Sequence, residues 1–209
     1  PTNPAMLGVP HESVNPGFNP GNLLLRSGGS YDLFAIKKGV RVPSLKFAYI
    51  VPSAAPIDLL QYAKIDLDKT LSFQVLYHKG SWASATDILS LLYTYMRIGK
   101  ASVSCEIDDV LKANIETIGQ NLTTGTAKLT GATYTDYAGA VGFNETDVTI
   151  GGALNDRVVG WKFEINNKPK QVPVIRSTNG HLAKYIPFGN RQLNGEVRFE
   201  FESKAEMDN

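Results

Sequence analysis

A run of alternating apolar and charged residues near the carboxyl end constrains the fold more than any other part of the chain. Apolar residues occupy positions 193, 197, 199 and 201, and charged residues occupy positions 196, 198, 200 and 202. Successive side chains of a β-strand point to opposite faces of its sheet. The run therefore predicts a strand with one buried face and one charged, solvated face.

Other segments repeat this pattern. Residues 69–78 alternate apolar Leu71, Phe73, Val75 and Tyr77 with other residues, and residues 158–165 do the same with Val159, Trp161, Phe163 and Ile165. Residues 101–119 are ambiguous, because part of the segment alternates and part would form a helical stripe; we interpret it mostly as strand. The Thr-rich residues 117–135 have little helix propensity, which favours strand there as well.

One segment shows the spacing of a helix. Its apolar residues fall at helical intervals after a capping Ser84 or Thr86, with an acidic residue in the first turn, and they are Ile88, Leu91, Leu92 and Tyr95. Gly99 follows as a stop signal. The pattern predicts one α-helix at about residues 84–98. Many strands and one helix indicate a mainly β fold, a β-sandwich or barrel with the helix packed on it.

The amino-terminal part is rich in proline and differs in character. Residues 1–30 predict an extended arm, with disorder as the alternative for the first dozen residues, and residues 31–209 predict a single β-domain with a long loop. Two apolar segments of this part suit contact with another surface. The candidate contact residues are Leu23, Leu24, Leu25, Val51, Pro52, Pro56 and Ile57.

Composition excludes several classes of function. The chain has 209 residues, 43% of them hydrophobic, and 21 Lys and Arg residues against 20 Asp and Glu residues give a net charge of +1. No cationic excess is available to hold nucleic acid through its phosphates. With Cys105 as the single cysteine, no internal disulfide can form. We expect a reducing compartment and neither secretion nor membrane insertion.

Residues with reactive side chains are scattered along the sequence. His11, His78 and His181 lie far apart, and the lone Cys105 is more typical of a small buried hydrophobe than of a nucleophile. The adjacent Asp108 and Asp109 suit an exposed turn better than an acid-base pair. The sequence therefore predicts no enzyme, no metal and no cofactor.

Three motifs near the carboxyl end carry a family resemblance. The first is a strand that ends in Ile-Asn-Asn at residues 165–167, the second is a connector containing Gly-Asn-Arg at 189–191, and the third is the alternating strand at 193–202. Together with the order of the upstream segments, they resemble the tail tube proteins of long-tailed viruses. Through the resemblance the fold is expected to be of the tail-tube type.

The resemblance implies a structural virion protein in the tail of a siphovirus-like bacteriophage or archaeal virus, assembled in the host cytoplasm. Such subunits form rings of six, or a pseudo-sixfold equivalent, that stack into the conduit for DNA ejection. The implied partners are further copies of the chain, other tail proteins (terminator, tape measure and tail tip), and double-stranded DNA that passes without specific binding. No cofactor or membrane is implied.

Two questions stay open at this point. Acidic positions on one polar strand face are expected to line the lumen, but the charged face of Glu196, Arg198 and Glu200 could equally be the tube exterior. The alternative function is a β-sandwich receptor-binding or carbohydrate-binding module. Trp82 and Trp161 would suit a sugar-binding platform, but Trp161 lies on the apolar side of its strand and is better explained as core, so this alternative rests on fold class alone. A filament that forms with rising concentration favours the tube, and a stable monomer that binds a glycan favours the module.

Overall fold

The computed structural model of the protein describes residues 11–26, 33–53, 59–64, 70–80, 86–131, 139–154 and 157–200. Within them lie two short 3-10 helices, η1 (Leu59–Ala63) and η2 (Phe143–Glu145). The strands are β1 (His11–Asn19), β2 (Leu23–Arg26), β3 (Leu33–Lys37), β4 (Val42–Ile50), β5 (Leu71–Lys79), β6 (Thr86–Glu106), β7 (Lys112–Ile118), β8 (Asn121–Gly125), β9 (Thr149–Ile150), β10 (Ala153–Leu154), β11 (Val158–Asn166) and β12 (Gln192–Phe199).

The largest sheet has eight strands, six of which follow one another in the order β1, β4, β7, β6, β11 and β12, and each neighbouring pair on this path is antiparallel. We call this path the main sheet. The first half of the 21-residue strand β6 leaves it and pairs with β5 and β8 instead. The pairs β2 with β3 and β9 with β10 form two small sheets of their own.

One face of the main sheet forms the core. Across the strands, Phe47 lies opposite Ile115, which lies opposite Ala101, so that apolar residues form continuous rows on this face. Helix η1 covers these rows with Leu59 and Ala63, and the Phe73 ring of β5 lies 5.6 Å from the Phe47 ring. The buried cluster comprises Leu45, Phe47, Tyr49, Leu59, Ala63, Tyr93, Met96, Ile98, Ala101, Ala113 and Ile115.

The helix predicted at about residues 84–98 is wrong, because residues 86–98 belong to β6; residues 84 and 85 lie outside the described residues. In β6, Tyr93 lies between Phe73 of β5 and Leu122 of β8, and the adjacent Leu92 lies opposite Gln74. Apolar residues therefore occupy both faces of this half of the strand. Such a run lacks alternation, so a strand and a buried helix give the same pattern.

The strand predictions at residues 69–78, 101–119 and 158–165 are confirmed by β5, by the second half of β6 with β7, and by β11. The Thr-rich segment is strand at Asn121–Gly125, and residues 126–131 lie outside strands. Because β1 and β12 do not pair with each other, the described residues form an open antiparallel sheet. The sandwich or barrel stays a prediction.

The carboxyl-terminal strand is confirmed as β12, but its apolar row is not buried in the subunit, which corrects the expectation of a buried face. Leu193 is 59% exposed, Val197 is 39% exposed and Phe199 is 40% exposed. The cause is topological, since β12 has β11 on one side and lies at the end of the main sheet. Residues 201 and 202 lie outside the described residues.

The division into an arm at residues 1–30 and a domain at residues 31–209 stays a prediction. Residues 1–10 lie outside the described part of the chain, and His11–Asn19 pairs along β4 as the other end of the main sheet. Pro16 lies within this strand. Proline, which lacks a backbone N–H, is tolerated in an edge strand far better than in a central one.

Two tyrosines distinguish the strand from the helix. In the helical pattern Tyr95 belongs to the buried stripe and Tyr93 does not, whereas in the structure Tyr93 is 1% exposed and Tyr95 is 57% exposed. We expect Tyr93→Ala to lower the free energy of unfolding by about 3–5 kcal/mol. Tyr95→Ala should change it by no more than about 0.5 kcal/mol. Urea unfolding of both variants measures the two free-energy changes. A larger loss of stability for Tyr95→Ala than for Tyr93→Ala would favour the helix over the strand.

Candidate functional site

Reactive side chains do not gather into one site in the part of the chain that the structure describes. Cys105 is buried, and burial raises the pKa of its thiol. Asp109 pairs with Lys112 at 2.8 Å, and this contact holds the pKa of the Asp109 carboxyl below its usual value. Among the described residues, no group of three or more His, Cys, Asp or Glu side chains could hold a metal ion. None of the described helices is long and apolar enough to cross a membrane.

Four exposed apolar residues, Phe163, Leu193, Val197 and Phe199, lie together at one edge of the main sheet. On β12, Leu193 lies opposite Ile165 and Val197 lies opposite Trp161, so the strand's apolar row continues the core face of the sheet. Phe163 of β11 is 43% exposed in the gap opposite Gly195. A strand edge with an apolar row is a ready template for pairing with another chain. We call it the β12 edge.

The opposite edge, the β1 edge, has the same two-faced character. Val14 lies opposite Phe47 and Pro16 opposite Leu45, so these residues and Phe18 lie on the core face. The Arg41 guanidinium lies 5.9 Å from the centre of the exposed Phe18 ring. The other face of β1 presents small or polar residues, which are Ser13, Asn15, Gly17 and Asn19.

The direction of the strands makes these two edges complementary. Because all five steps along the main sheet are antiparallel, β1 and β12 run in opposite directions. If a second copy is placed by rotation about an axis roughly parallel to the strands, its β1 lies beside β12 of the first copy in antiparallel orientation. Its apolar row would continue the core face and its polar row the opposite face. The two edges can therefore join without a change of face.

The face of the main sheet opposite the core, which we call the polar face, carries paired charges. One of its cationic residues, Arg97, lies with its guanidinium 4.9 Å from the centre of the Phe188 ring. Five others form a set of ion pairs, and they are Lys46, Lys100, Lys112, Lys162 and Arg198. Their carboxylate partners are Glu106, Glu116, Glu164 and Glu196 on the same strands, with Asp109 from the turn after β6. Each of the five cations thus has a carboxylate within 4.0 Å.

The geometry of these pairs follows from strand register. Lys46 and Glu116 are cross-strand neighbours on β4 and β7, with Nζ and Oε2 2.9 Å apart. Arg198 of β12 reaches past β11 to Glu106 of β6, and the residue between them is Gly160. A side chain at Gly160 would meet Glu106 Oε2 at 2.7 Å and the Arg198 guanidinium at 3.0 Å. Exposed ion pairs of this kind contribute only about 0–1 kcal/mol each to stability.

A buried amide joins two of the carboxyl-terminal motifs. Asn167, which is 1% exposed, donates from Nδ2 to the carbonyl oxygens of Ala63 at 2.9 Å and Ile98 at 3.2 Å. Its Oδ1 accepts a hydrogen bond from Arg191 Nε at 2.8 Å, and its carbonyl accepts one from the Gly189 N–H at 2.9 Å. The Ile-Asn-Asn turn and the Gly-Asn-Arg connector are therefore in direct contact, and together they fix where β12 begins.

The candidate contact residues predicted from sequence do not form one surface in the described residues. Leu23, Leu24 and Leu25 form β2, which pairs with β3. Val51 and Pro52 follow β4 inside the subunit, where Val51 packs against the core cluster and Pro52 is buried beside Ala140. Pro56 and Ile57 lie outside the described residues. Their proposed role in contacts between rings stays a prediction.

Sequence reasoning missed two features of the site. The paired charges of the polar face come from five strands, β4, β6, β7, β11 and β12, and only the strand register brings Lys46, Glu116 and Lys100 together. The alternation within residues 112–118 was a usable signal for one strand but not for its neighbours. The second missed feature is the buried hydrogen bonding of Asn167. The sequence shows the motif that contains this residue, but an Asn at a strand end is as typical of an exposed turn as of a buried hydrogen bond.

Comparison with known proteins gives one match. Residues 26–209, which are most of the chain, match the protein family described as phage tail tube protein. The matched range begins at the last residue of β2, contains β3 to β12 and ends beyond the described residues. No curated protein matches the chain.

The buried amide predicts different effects for two adjacent asparagines. Asn167→Ala removes the donors to Ala63 and Ile98 and leaves Arg191 without its Oδ1 partner, so we expect it to cost about 2–4 kcal/mol of unfolding free energy. Asn166→Ala, which removes an exposed bond to the Lys168 N–H, should cost less than about 1 kcal/mol. Urea unfolding compares the two, and equal costs would contradict the role given to Asn167.

The environment of Cys105 predicts an unreactive thiol. Its burial limits access, and its raised pKa lowers the thiolate fraction at pH 8 relative to a free cysteine. We expect alkylation by iodoacetamide to be at least about 100-fold slower in the folded protein than in denaturant. Mass spectrometry over time measures the rate, and rapid labelling of the folded chain would show that the β6 face around Cys105 is open.

Proposed function

The chain belongs to the phage tail tube family, and from this premise we propose that its copies join edge to edge into rings of six, or a pseudo-sixfold equivalent. In this proposal the rings stack into the tube through which viral DNA is ejected. Proteins of this family are structural components of the virion tail and not enzymes. They assemble with themselves and with other tail proteins.

The observation that carries the ring proposal is the match between the two edges of the main sheet. The β1 edge and the β12 edge run in opposite directions, and each has its apolar row on the core face. Pairing them between subunits would bury Leu193, Val197 and Phe199 beside the neighbour's Val14 and Phe18. Closing the ring would also leave no free edge in the sheet, which removes the template for uncontrolled pairing.

The two faces of the main sheet have different positions in the proposed tube. The core face is covered near its centre by η1 and β5, so we place it away from the lumen. The polar face has room for solvent on it, and we place it on the lumen side of the ring. Glu196 and Arg198 lie on the polar face, so in this proposal they face the lumen and not the tube exterior.

Stacking requires a contact that does not close on itself, because only a heterologous contact repeats into a filament. We propose that the part of the amino-terminal arm outside β1, together with the β2–β3 pair, reaches the next ring. An isolated two-stranded sheet is marginally stable in water, so β2 and β3 need a partner surface. Pro56 and Ile57 extend this contact in the proposal, whereas Val51 and Pro52, which pack inside the subunit, position the loop.

The remaining partners follow from the place of a tube in a virion. We propose a long-tailed, siphovirus-like particle assembled in the host cytoplasm, with terminator, tape measure and tail tip proteins at the ends or inside the tube. Double-stranded DNA would pass through the lumen without specific binding. No observation on the described residues favours a carbohydrate-binding module over this function.

The test pairs one edge substitution with a matched control. Leu193→Glu places a charge in the exposed row of the β12 edge, and Ile150→Glu places the same charge at another exposed apolar position, 45% exposed on β9. We expect both variants to melt cooperatively, because neither position is buried in the subunit. Only Leu193→Glu should abolish rings, since it would bury an unpaired charge at the junction.

Negative-stain electron microscopy across a concentration series, with sedimentation velocity, measures the result. Hollow rings or tubes from the unchanged chain and from Ile150→Glu, with monomers from Leu193→Glu, support the proposal. Normal tubes from Leu193→Glu would show that the β12 edge is not the junction. A wild-type protein that stays monomeric at high concentration and binds a glycan array would favour the binding module.

A further inference from the structure

Five cations of the polar face each have a carboxylate within 4.0 Å in the part of the chain that the structure describes. A sixth, Arg97, lies with its guanidinium 4.9 Å from the centre of the Phe188 ring. Lys100 Nζ lies 3.0 Å from Glu164 Oε2, and Lys162 Nζ lies 3.9 Å from the same oxygen. Glu164 is the least exposed member of the set, with 14% of its side chain accessible. One carboxylate therefore holds two lysines from two neighbouring strands, β6 and β11.

The same arrangement recurs across the sheet. Lys46 pairs with Glu116, and Arg198 pairs with Glu106 and, at 3.9 Å, with Glu196. Five cations and five carboxylates leave the set with no net charge. The set is thus neutral in sum, and each of its five cations lies next to a carboxylate.

Stability does not explain the pairs of Lys46 with Glu116 and of Arg198 with Glu106, because exposed pairs contribute little to folding. A neutral face could also have been built from uncharged polar residues, such as the Ser102, Ser104 and Asn114 that lie between the pairs. However, the way the charges are distributed on this face changes how strongly it binds a polyanion such as DNA. Duplex DNA binds to cationic side chains by releasing its condensed counterions, and each phosphate contact requires an available cation.

We propose that Glu164 and Glu116 act as fixed counterions that keep Lys46, Lys100 and Lys162 from binding DNA phosphates. The inference rests on the proposed function, in which the polar face meets the DNA in the lumen. A lysine can hold a phosphate only by leaving its carboxylate, so the pairing lowers the affinity at every position along the wall. The glutamates thereby allow the duplex to slide, and the lysines keep the wall from repelling it.

The experiment compares two isosteric substitutions that each remove one carboxylate from an ion pair. Glu164→Gln releases Lys100 and Lys162 on the polar face, and Asp87→Asn releases Lys79, whose Nζ lies 2.8 Å from Asp87 on the strands β5 and β6. Both variants gain one unit of positive charge. Binding of a fluorescent 20-base-pair duplex to the purified subunit is followed by anisotropy between 50 and 200 mM NaCl, with a thermal melt to confirm folding.

We expect Glu164→Gln to bind the duplex about tenfold more tightly than the unchanged chain at 50 mM NaCl. Two released lysines should steepen the slope of log Kd against log salt by about two. Asp87→Asn should differ from the unchanged chain by less than about twofold. Adding Lys100→Gln and Lys162→Gln to Glu164→Gln should return the affinity to that of the unchanged chain.

Equal effects of Glu164→Gln and Asp87→Asn would overturn the inference, because net charge alone would then explain the binding. No gain with Glu164→Gln would overturn it as well. Both results would leave the ring proposal standing. Conversely, the absence of rings in electron microscopy would overturn the proposed function, and a specific gain of DNA affinity in the subunit would still establish that these carboxylates mask the lysines.

Discussion

The buried amide of Asn167 is the contact on which the arrangement of the sheet edge depends. Between β11 and β12 the chain passes through a long connector with little regular structure, and the contacts of Asn167 with Arg191 and Gly189 fix its return. A slip of β12 by one residue would exchange its apolar row with its charged row. A single satisfied amide thus determines which chemistry each face of the β12 edge presents.

The two faces of the main sheet differ in how they are covered. Its core face is covered near the centre by η1 and β5 but is bare at the edges, so burial is incomplete in one subunit. Its polar face carries ion pairs that are mostly exposed, although Ser102 on the same face is buried. An isolated subunit therefore has apolar area left to bury at its two edges, in positions where a second copy can cover it without disturbing either face. The apolar rows that form the core of the subunit thus continue into the surface that a second copy would bury.

The sequence predicts the strands well where one face is buried and one is wet, as for Leu71 to Tyr77 in β5 and for the alternating run in β12. It fails for the first half of β6, where both faces meet other strands and the alternation disappears. It also fails for the burial of β12, because a local pattern shows that a row is apolar but not whether the same chain covers it. The paired charges could not be foreseen, since cross-strand neighbours are set by register and not by spacing along the chain.

The length of β6 has a mechanical consequence. Its 21 residues give a contour of roughly 70 Å at about 3.3 Å per residue, and they belong first to the sheet with β5 and β8 and then to the main sheet. Two layers that share a covalent strand cannot shear past each other without breaking rows of backbone hydrogen bonds. A filament built from such subunits would bend at the joints between subunits and between rings, while each subunit moves as a stiff block.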